Sequence, residues 1–507
     1  RSGTPAGATQ IDTCGRCHAR RGTLGAYRHG QPLSDTHRLA LLGEPLYHHD
    51  GQILDEVYVY GSFLQSRMHL AGVVCSDCHE PHSNALRAPG NGVCAGCHRP
   101  AVYDSPAHHR HTPAGAGGQC VNCHMPDRVY MGVDARRDHS LRRPRPDLSL
   151  VIGTPNACND CHADRDAQWS LDALREWGMA PRDTSAHPAL AMEAVGRGDV
   201  RGAPRLSTLA ADPSAPAIWR ATALERIAAV GAGGTLATTL LDAGDPLLRV
   251  SAVRALAGLP LPQRFRRLFP LRDDPVLGVR MAVAAALAPV PPAELRPGDR
   301  QALRSLFAEY LAVQRRHADM PSVQLQLGLF HAGRGDMEAA ERAYREALRL
   351  NPELVAAYLN LADLQRARGR ESAARAALTQ AREVAPENGD VLHALGLLET
   401  RAGNRDAALE LLAAAAAREE SGGRHRFVHA VALHDFGDAQ AAIRVLRDLH
   451  RDLPADQQAL QLLVNYSAES GDLAAAKRYL RRLLELAPDD PRYRRMARSL
   501  GLVMPRP

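Results

Sequence analysis

Five copies of one pentapeptide, C-x-x-C-H, lie in the first third of this 507-residue chain and use all ten of its cysteines. They are Cys14/Cys17/His18, Cys75/Cys78/His79, Cys94/Cys97/His98, Cys120/Cys123/His124 and Cys158/Cys161/His162. Two thiols two residues apart, followed at once by an imidazole, form the attachment signature of c-type haem. The thiols bond to the porphyrin edge and the histidine takes one axial position on iron. A single copy is also compatible with a redox dithiol or half of a zinc site. Five copies at one spacing, each followed by His and with no cysteine left over, point to five covalently held haem c groups. Motif starts are separated by 61, 19, 26 and 38 residues. Connections this short cannot each enclose a cofactor, so the haems are expected to pack on one another and form an electron path.

An iron that only carries electrons needs a second axial group. The chain has 23 histidines, and ten of those outside the motifs fall within residues 1–166. His48, His82, His108, His111 and His139 would complete five irons, with His69 in reserve and His29, His37, His49 and His109 left to surface or supporting roles. His82 is tied so tightly to His79 that it points away from that haem and would serve a neighbouring iron. Asp138 precedes His139 and could orient its ring. Met68, Met125 and Met131 are weaker candidates, because bis-histidine ligation is amply supplied and favours lower potentials.

The net charge is +6, and Lys477 is the only lysine among 62 basic residues. That excludes a C-x-x-C-K haem with a lysine ligand. The basic stretch Arg136–Arg145 would attract an acidic partner or haem propionates. No nucleic-acid partner is expected. No apolar run approaches the roughly 20 residues of a membrane helix. This type of haem attachment takes place outside the bacterial cytoplasmic membrane. The chain starts at Arg1 without a leader, so an exported, processed protein is expected, periplasmic or extracellular.

What positions these groups changes along the chain. Residues 1–166 are rich in Gly, Pro and His and read as a loop-rich pentahaem module of short helices. Trp169, Leu171, Leu174 and Trp177 then recur at helical spacing. Within 167–300, segments Ile218–Val230, Leu247–Leu259 and Leu277–Val290 align on Arg220, Arg249 and Arg280 and resemble HEAT repeats. In 301–507, Gly335, Gly369, Gly403, Gly437 and Gly471 follow one another every 34 residues. Pro352, Pro386, Pro454 and Pro488 keep the same period, with Glu420 where one proline is missing. Ala339-Ala340, Ala373-Ala374, Ala407-Ala408 and Ala441-Ala442 follow the glycines. This is the mark of tetratricopeptide repeats, about five copies. The expected fold is mainly α: a multihaem module followed by an α-solenoid, HEAT-like and then tetratricopeptide.

The chain resembles exported multihaem cytochromes fused to tetratricopeptide repeats. The resemblance is carried by Tyr47-His48-His49-Asp50-Gly51-Gln52, Tyr60-Gly61-Ser62-Phe63, Gly72 to His82, Cys120 to Pro126, Arg136 to Ser140, Arg143 to Asp147 and Pro155 to Cys158. It implies bis-histidine haems, electron transfer and a distal role for His48, His82, His108, His111 and His139. Redox proteins are the expected partners. Some exported multihaem cytochromes also polymerise into conductive filaments, with a histidine of one subunit on the iron of the next, so a homo-oligomer or polymer with inter-subunit haem stacking stays open.

An electron carrier docked through its solenoid is the leading expectation, without catalysis. The alternative is a reductase of nitrogen or sulfur oxyanions. That needs one iron with an open position and nearby proton donors such as Tyr103, Arg110 or His109.

Overall fold

The computed structural model describes residues 7–83, 85–180, 183–418, 423–488 and 490–502; Arg1 and Glu420 lie outside them. The protein is mainly helical, 63% helix and 4% strand. Among the described residues no helix is long and apolar enough to cross a membrane.

The chain divides into two compact units. The first comprises residues 7–193, 202–287 and 296–310; the second 194–201, 288–295 and 311–502. The first unit runs straight across residue 166, where the composition changes. Its cysteine-rich part has little regular structure. The motifs sit in the helices Ala8–His18, Cys75–Cys78, Gly92–Ala95, Cys120–His124 and Ala157–Cys161, or at their ends. Two small hairpins pair Arg21–Thr23 with His37–Leu39 and Asp127–Tyr130 with Asp134–Arg137.

Two apolar clusters anchor this part. Ile11, Ala19, Leu33, Tyr60 and Phe63 form one; Leu42, Tyr47, Ile53, Val57, Tyr130 and Ile218 form the other. Ile218 belongs to the helix Ala217–Ala229, so a downstream helix completes the core of the cysteine-rich part. Polar contacts repeat that join: Leu42 N donates to Thr222 Oγ1 (3.1 Å) and Leu277 N to Asp35 Oδ1 (2.9 Å).

The three aligned segments are the helices Ala217–Ala229, Pro246–Leu256 and Leu277–Leu287. Their aligned arginines play one recurring part, each donating to carbonyls of the preceding helix end or turn. Arg220 reaches Ala210 O (3.0 Å), Arg249 reaches Ala243 O (2.8 Å) and Arg280 reaches Asp274 O (2.7 Å). These acceptors are carbonyls that the helices leave without an internal partner or that lie in the following turn.

The second unit contains five helix pairs, from Pro321–Gly333 with Met337–Leu350 through Gln457–Glu469 with Leu473–Leu486, closed by Pro491–Ser499. All five periodic glycines take φ between 69° and 95°, the left-handed turn that a residue with a Cβ resists. Asp336, Asp438 and Asp472 follow three of them and cap the next helix. The second alanine of each pair is buried, from Ala340 (0%) to Ala374 (1%), where the two helices touch. Gly396 makes another close approach: a Cβ there would lie 2.7 Å from Leu412 Cγ. Gly396→Leu is expected to destabilise the repeats by about 2–3 kcal/mol through overpacking. Urea unfolding followed by helical circular dichroism would register it, and an unchanged midpoint would contradict the packing described.

Candidate functional site

Three of the five motif histidines face a second imidazole. His79 and His139 have ring centres 6.4 Å apart and planes 23° from parallel. His108 and His124 are 6.2 Å apart at 16°, and His111 and His162 6.2 Å apart at 36°. Two imidazoles bound end-on to one metal ion, at about 2 Å each, put their ring centres roughly 6 Å apart. These pairs have the separation that two imidazoles sharing one iron would show. Among the described residues no group of three or more His, Cys, Asp or Glu side chains is arranged to hold a metal ion. The arrangement is one of imidazole pairs.

The ring nitrogens are arranged to match. His124 Nδ1 lies 2.8 Å from Arg142 O and His139 Nδ1 lies 2.9 Å from Arg137 O, while His111 Nδ1 bonds the carbonyl of His109. A carbonyl accepts only, so each Nδ1 carries the proton and each Nε2 is left with a lone pair to give a metal. Burial lowers the pKa of His108 and of His139, helped for each by the imidazole opposite, and keeps these rings in the neutral form that ligates. The His111–His162 pair carries an indole at both ends: Trp169 lies 4.8 Å from His162 and Trp177 lies 6.4 Å from His111.

The remaining expected ligands are placed differently. His48 is half-buried, and its Nε2 is buried without a hydrogen-bond partner; His69 Nδ1 is in the same state. The structure does not turn His82 toward a motif of its own chain. Glu80 accepts the backbone N–H of His82 and Ser83 (3.0 and 2.7 Å), closing a tight turn that leaves the His82 side chain 95% exposed. Its Nδ1 rests on Glu80 Oε1 at 3.0 Å. His18 is exposed. His98 is met by the edge of Tyr103 (5.5 Å, 84°), and Tyr103 in turn meets His108 (5.6 Å, 82°). His29 is exposed and His37 is buried against Thr36 Oγ1 at 2.9 Å.

None of the ten cysteines is in a disulfide. The thiols of successive motifs are neighbours. Burial together with the hydrogen-bonded Cys14 thiol pushes Cys75 up to about 12, and burial with the Cys120 thiol pushes Cys94 up to about 11. Burial, Asp77 and the Cys97 thiol raise Cys78; burial with Cys158 and Cys161 pushes Cys123 up to about 11. The motifs therefore follow one another in space in the order in which they occur along the chain.

Charged side chains whose pairing the sequence did not reveal form a buried frame behind these rings. Asp50 (2% exposed) and Asp138 (2%) lie on either side of Arg142. Asp147 (4%) pairs with Arg145 at 2.6 Å. Gln52 Nε2 joins Asp50 Oδ2 (2.8 Å) to Pro155 O (2.7 Å), just before the fifth motif. The Asp-Gly-Gln and Arg-Asp-His-Ser strings were visible in the sequence, but their partners lie far away along the chain.

Comparison with known proteins supports both parts of the chain. Residues 331–398 and 433–500 match the tetratricopeptide repeat family, and residues 69–102 match the doubled CXXCH motif. No curated protein matches. The solved structure of MamA protein is 18% identical over 37% of this chain and 98% of its own, with a TM-score of 0.29. YrrB, described as a TPR protein with an unusual peptide-binding site, is 18% identical over 37% of this chain and 97% of its own (TM-score 0.30). Yeast Tom70 is 16% identical over 66% of this chain and 78% of its own (TM-score 0.39). The chain thus carries tetratricopeptide repeats, which imply protein–protein interaction, and a doubled CXXCH motif, which is a signature of covalent c-type haem and electron transfer.

Proposed function

We propose that the protein is an exported electron carrier holding five c-type haems, with its helical repeats docking redox partners. The observation that carries this reading is the set of three imidazole pairs. Each joins a motif histidine to a second histidine at the separation of a shared metal ion, with the outer nitrogen tied to a carbonyl in three of the six rings. Cys14, Cys17, Cys75, Cys78, Cys94, Cys97, Cys120, Cys123, Cys158 and Cys161 would hold the porphyrins by thioether bonds. His18, His79, His98, His124 and His162 would take the first axial positions. His139, His108 and His111 would close the irons of His79, His124 and His162. His48, whose Nε2 has no partner, is retained as a ligand, with His69 as its alternate. Haem supplies reversible one-electron redox chemistry; the chain holds each ring, fixes its tautomer and keeps successive attachment points adjacent.

His82 belongs to the assembled form of this proposal. Its Nδ1 is held by Glu80 and its ring faces solvent, which suits an iron of a neighbouring copy in an extracellular polymer. A second reading rests on Tyr103, which meets His98 where the three paired sites have an imidazole. An iron there with an open position and a phenol beside it would suit a reductase of nitrogen or sulfur oxyanions.

Low-temperature EPR of the oxidised protein, quantified against haem content, tests both. The carrier reading expects five haems per chain, the irons of the three pairs low-spin at any dilution, and a high-spin fraction that falls as the protein is concentrated. A persistent high-spin iron that binds added cyanide or nitrite supports the reductase. Absence of covalent haem sinks both.

A further inference from the structure

We infer that Arg142 is a positioning residue that holds axial histidines of two irons at once, an inference that rests on the haem reading above. Its backbone and its side chain act on different ligands. The backbone brackets His124: Arg142 N donates to His124 O (3.1 Å), and His124 Nδ1 lies 2.8 Å from Arg142 O. That second bond aims His124 Nε2 toward the space it shares with His108.

The side chain reaches the other way. Arg142 Nη1 donates to Asp50 O (3.0 Å) and meets Asp50 Oδ2 (3.3 Å), two residues after His48. Nε donates to Ser140 Oγ (2.8 Å) and faces Asp138 Oδ2 at 3.8 Å. Asp138 Oδ1 accepts from Ser140 N (2.8 Å), so the carboxylate and the guanidinium clamp both sides of His139. Asp138 Oδ2 is buried without a hydrogen bond. Its compensation is the charge of Arg142. A buried carboxylate deprived of that partner must turn toward water, which moves the segment that carries His139. Because one residue carries both sets of contacts, such a movement is transmitted to the His124 carbonyl.

A salt bridge that merely stabilised the fold would leave the ligand field of the irons alone. Arg142→Gln distinguishes the two roles. The variant is expected to keep the full complement of covalent haem, since no cysteine is touched, and to shift the g-values and midpoint potentials of two haems, those of His124 and His139. The haem of His162, whose paired rings make none of these contacts, should hold its own. Arg142→Lys, which restores the charge, should bring the His139 signal back toward the wild type. A folded R142Q protein with full haem content and an unchanged EPR spectrum overturns the inference. If R142Q does not accumulate, Asp138→Asn is read in the same way: it removes the carboxylate beside His139 that Arg142 faces and leaves Arg142 on Asp50. Unaltered signals there overturn it equally. A wild-type protein without covalent haem would instead remove the haem reading on which the inference stands.

Discussion

His139→Ala is expected to convert one iron from low-spin to high-spin while leaving the number of attached haems unchanged. The expectation follows from the pair geometry. His139 faces His79 across 6.4 Å, and its Nδ1 is committed to Arg137 O. On the proposed loading, alanine would leave the iron of His79 with one imidazole. The high-spin share should then rise by about one fifth of the iron over the wild type at the same concentration, and added imidazole should return that increment to low-spin. His82→Ala provides the contrast. Its ring is 95% exposed, so the dilute protein should show the wild-type spectrum. A H139A spectrum identical to the wild type would mean that another group closes the His79 iron, and the pairing would be wrong.

The second large effect concerns acid and the repeats. In the helices Gly389–Ala402 and Arg424–Asp435, His393 (5% exposed) and His425 (2%) lie 4.9 Å apart at 30°, each with Nδ1 buried and unpartnered. Burial, then the His425 imidazole and Arg424, lower His393 to about 4, and Asp390 works weakly against them. Asp390 itself is 60% exposed and bonds His425 Nε2 at 3.1 Å. The folded state therefore prefers neutral His393, while the unfolded chain titrates near 6.5. This stabilisation is complete above pH 6.5. It is lost as the pH falls toward 4, because the unfolded state takes up the proton first. The full loss amounts to roughly 3 kcal/mol. Wild-type melting temperature should fall more steeply between pH 7 and 4.5 than that of His393→Leu. Parallel curves would mean that the buried pair accommodates a proton.

What could be read in advance was whatever recurs or is local. The 34-residue glycines all lie in left-handed turns, because a helix–turn–helix unit imposes the same backbone at each copy. The aligned arginines marked three helices whose starts the structure sets within a residue, and whose ends it sets one to three residues earlier. The motif helices were local as well. Pairings between distant residues were not legible. His79 meets His139 and His111 meets His162 through a fold whose long loops conceal the separation. His82 was read as a ligand because it follows a motif, but a carboxylate three residues beyond Asp77 closes a turn that points it outward. Asp138 was read beside His139, but its link through Arg142 to Asp50 was not, since composition says nothing about which charges find each other in the interior. His393 and His425 were counted only as histidines away from the irons.

The serial contact of the thiols has a consequence for damage. Cys75 lies beside the first motif, Cys78 beside the third, Cys94 beside the fourth and Cys123 beside the fifth. On the proposed loading this is a serial path, in which each interior member relays electrons between its two neighbours. Losing Cys94 and Cys97 would leave two islands, one of motifs one and two, the other of motifs four and five. Each would still titrate with electrode or dye, but transfer from one end to the other should slow.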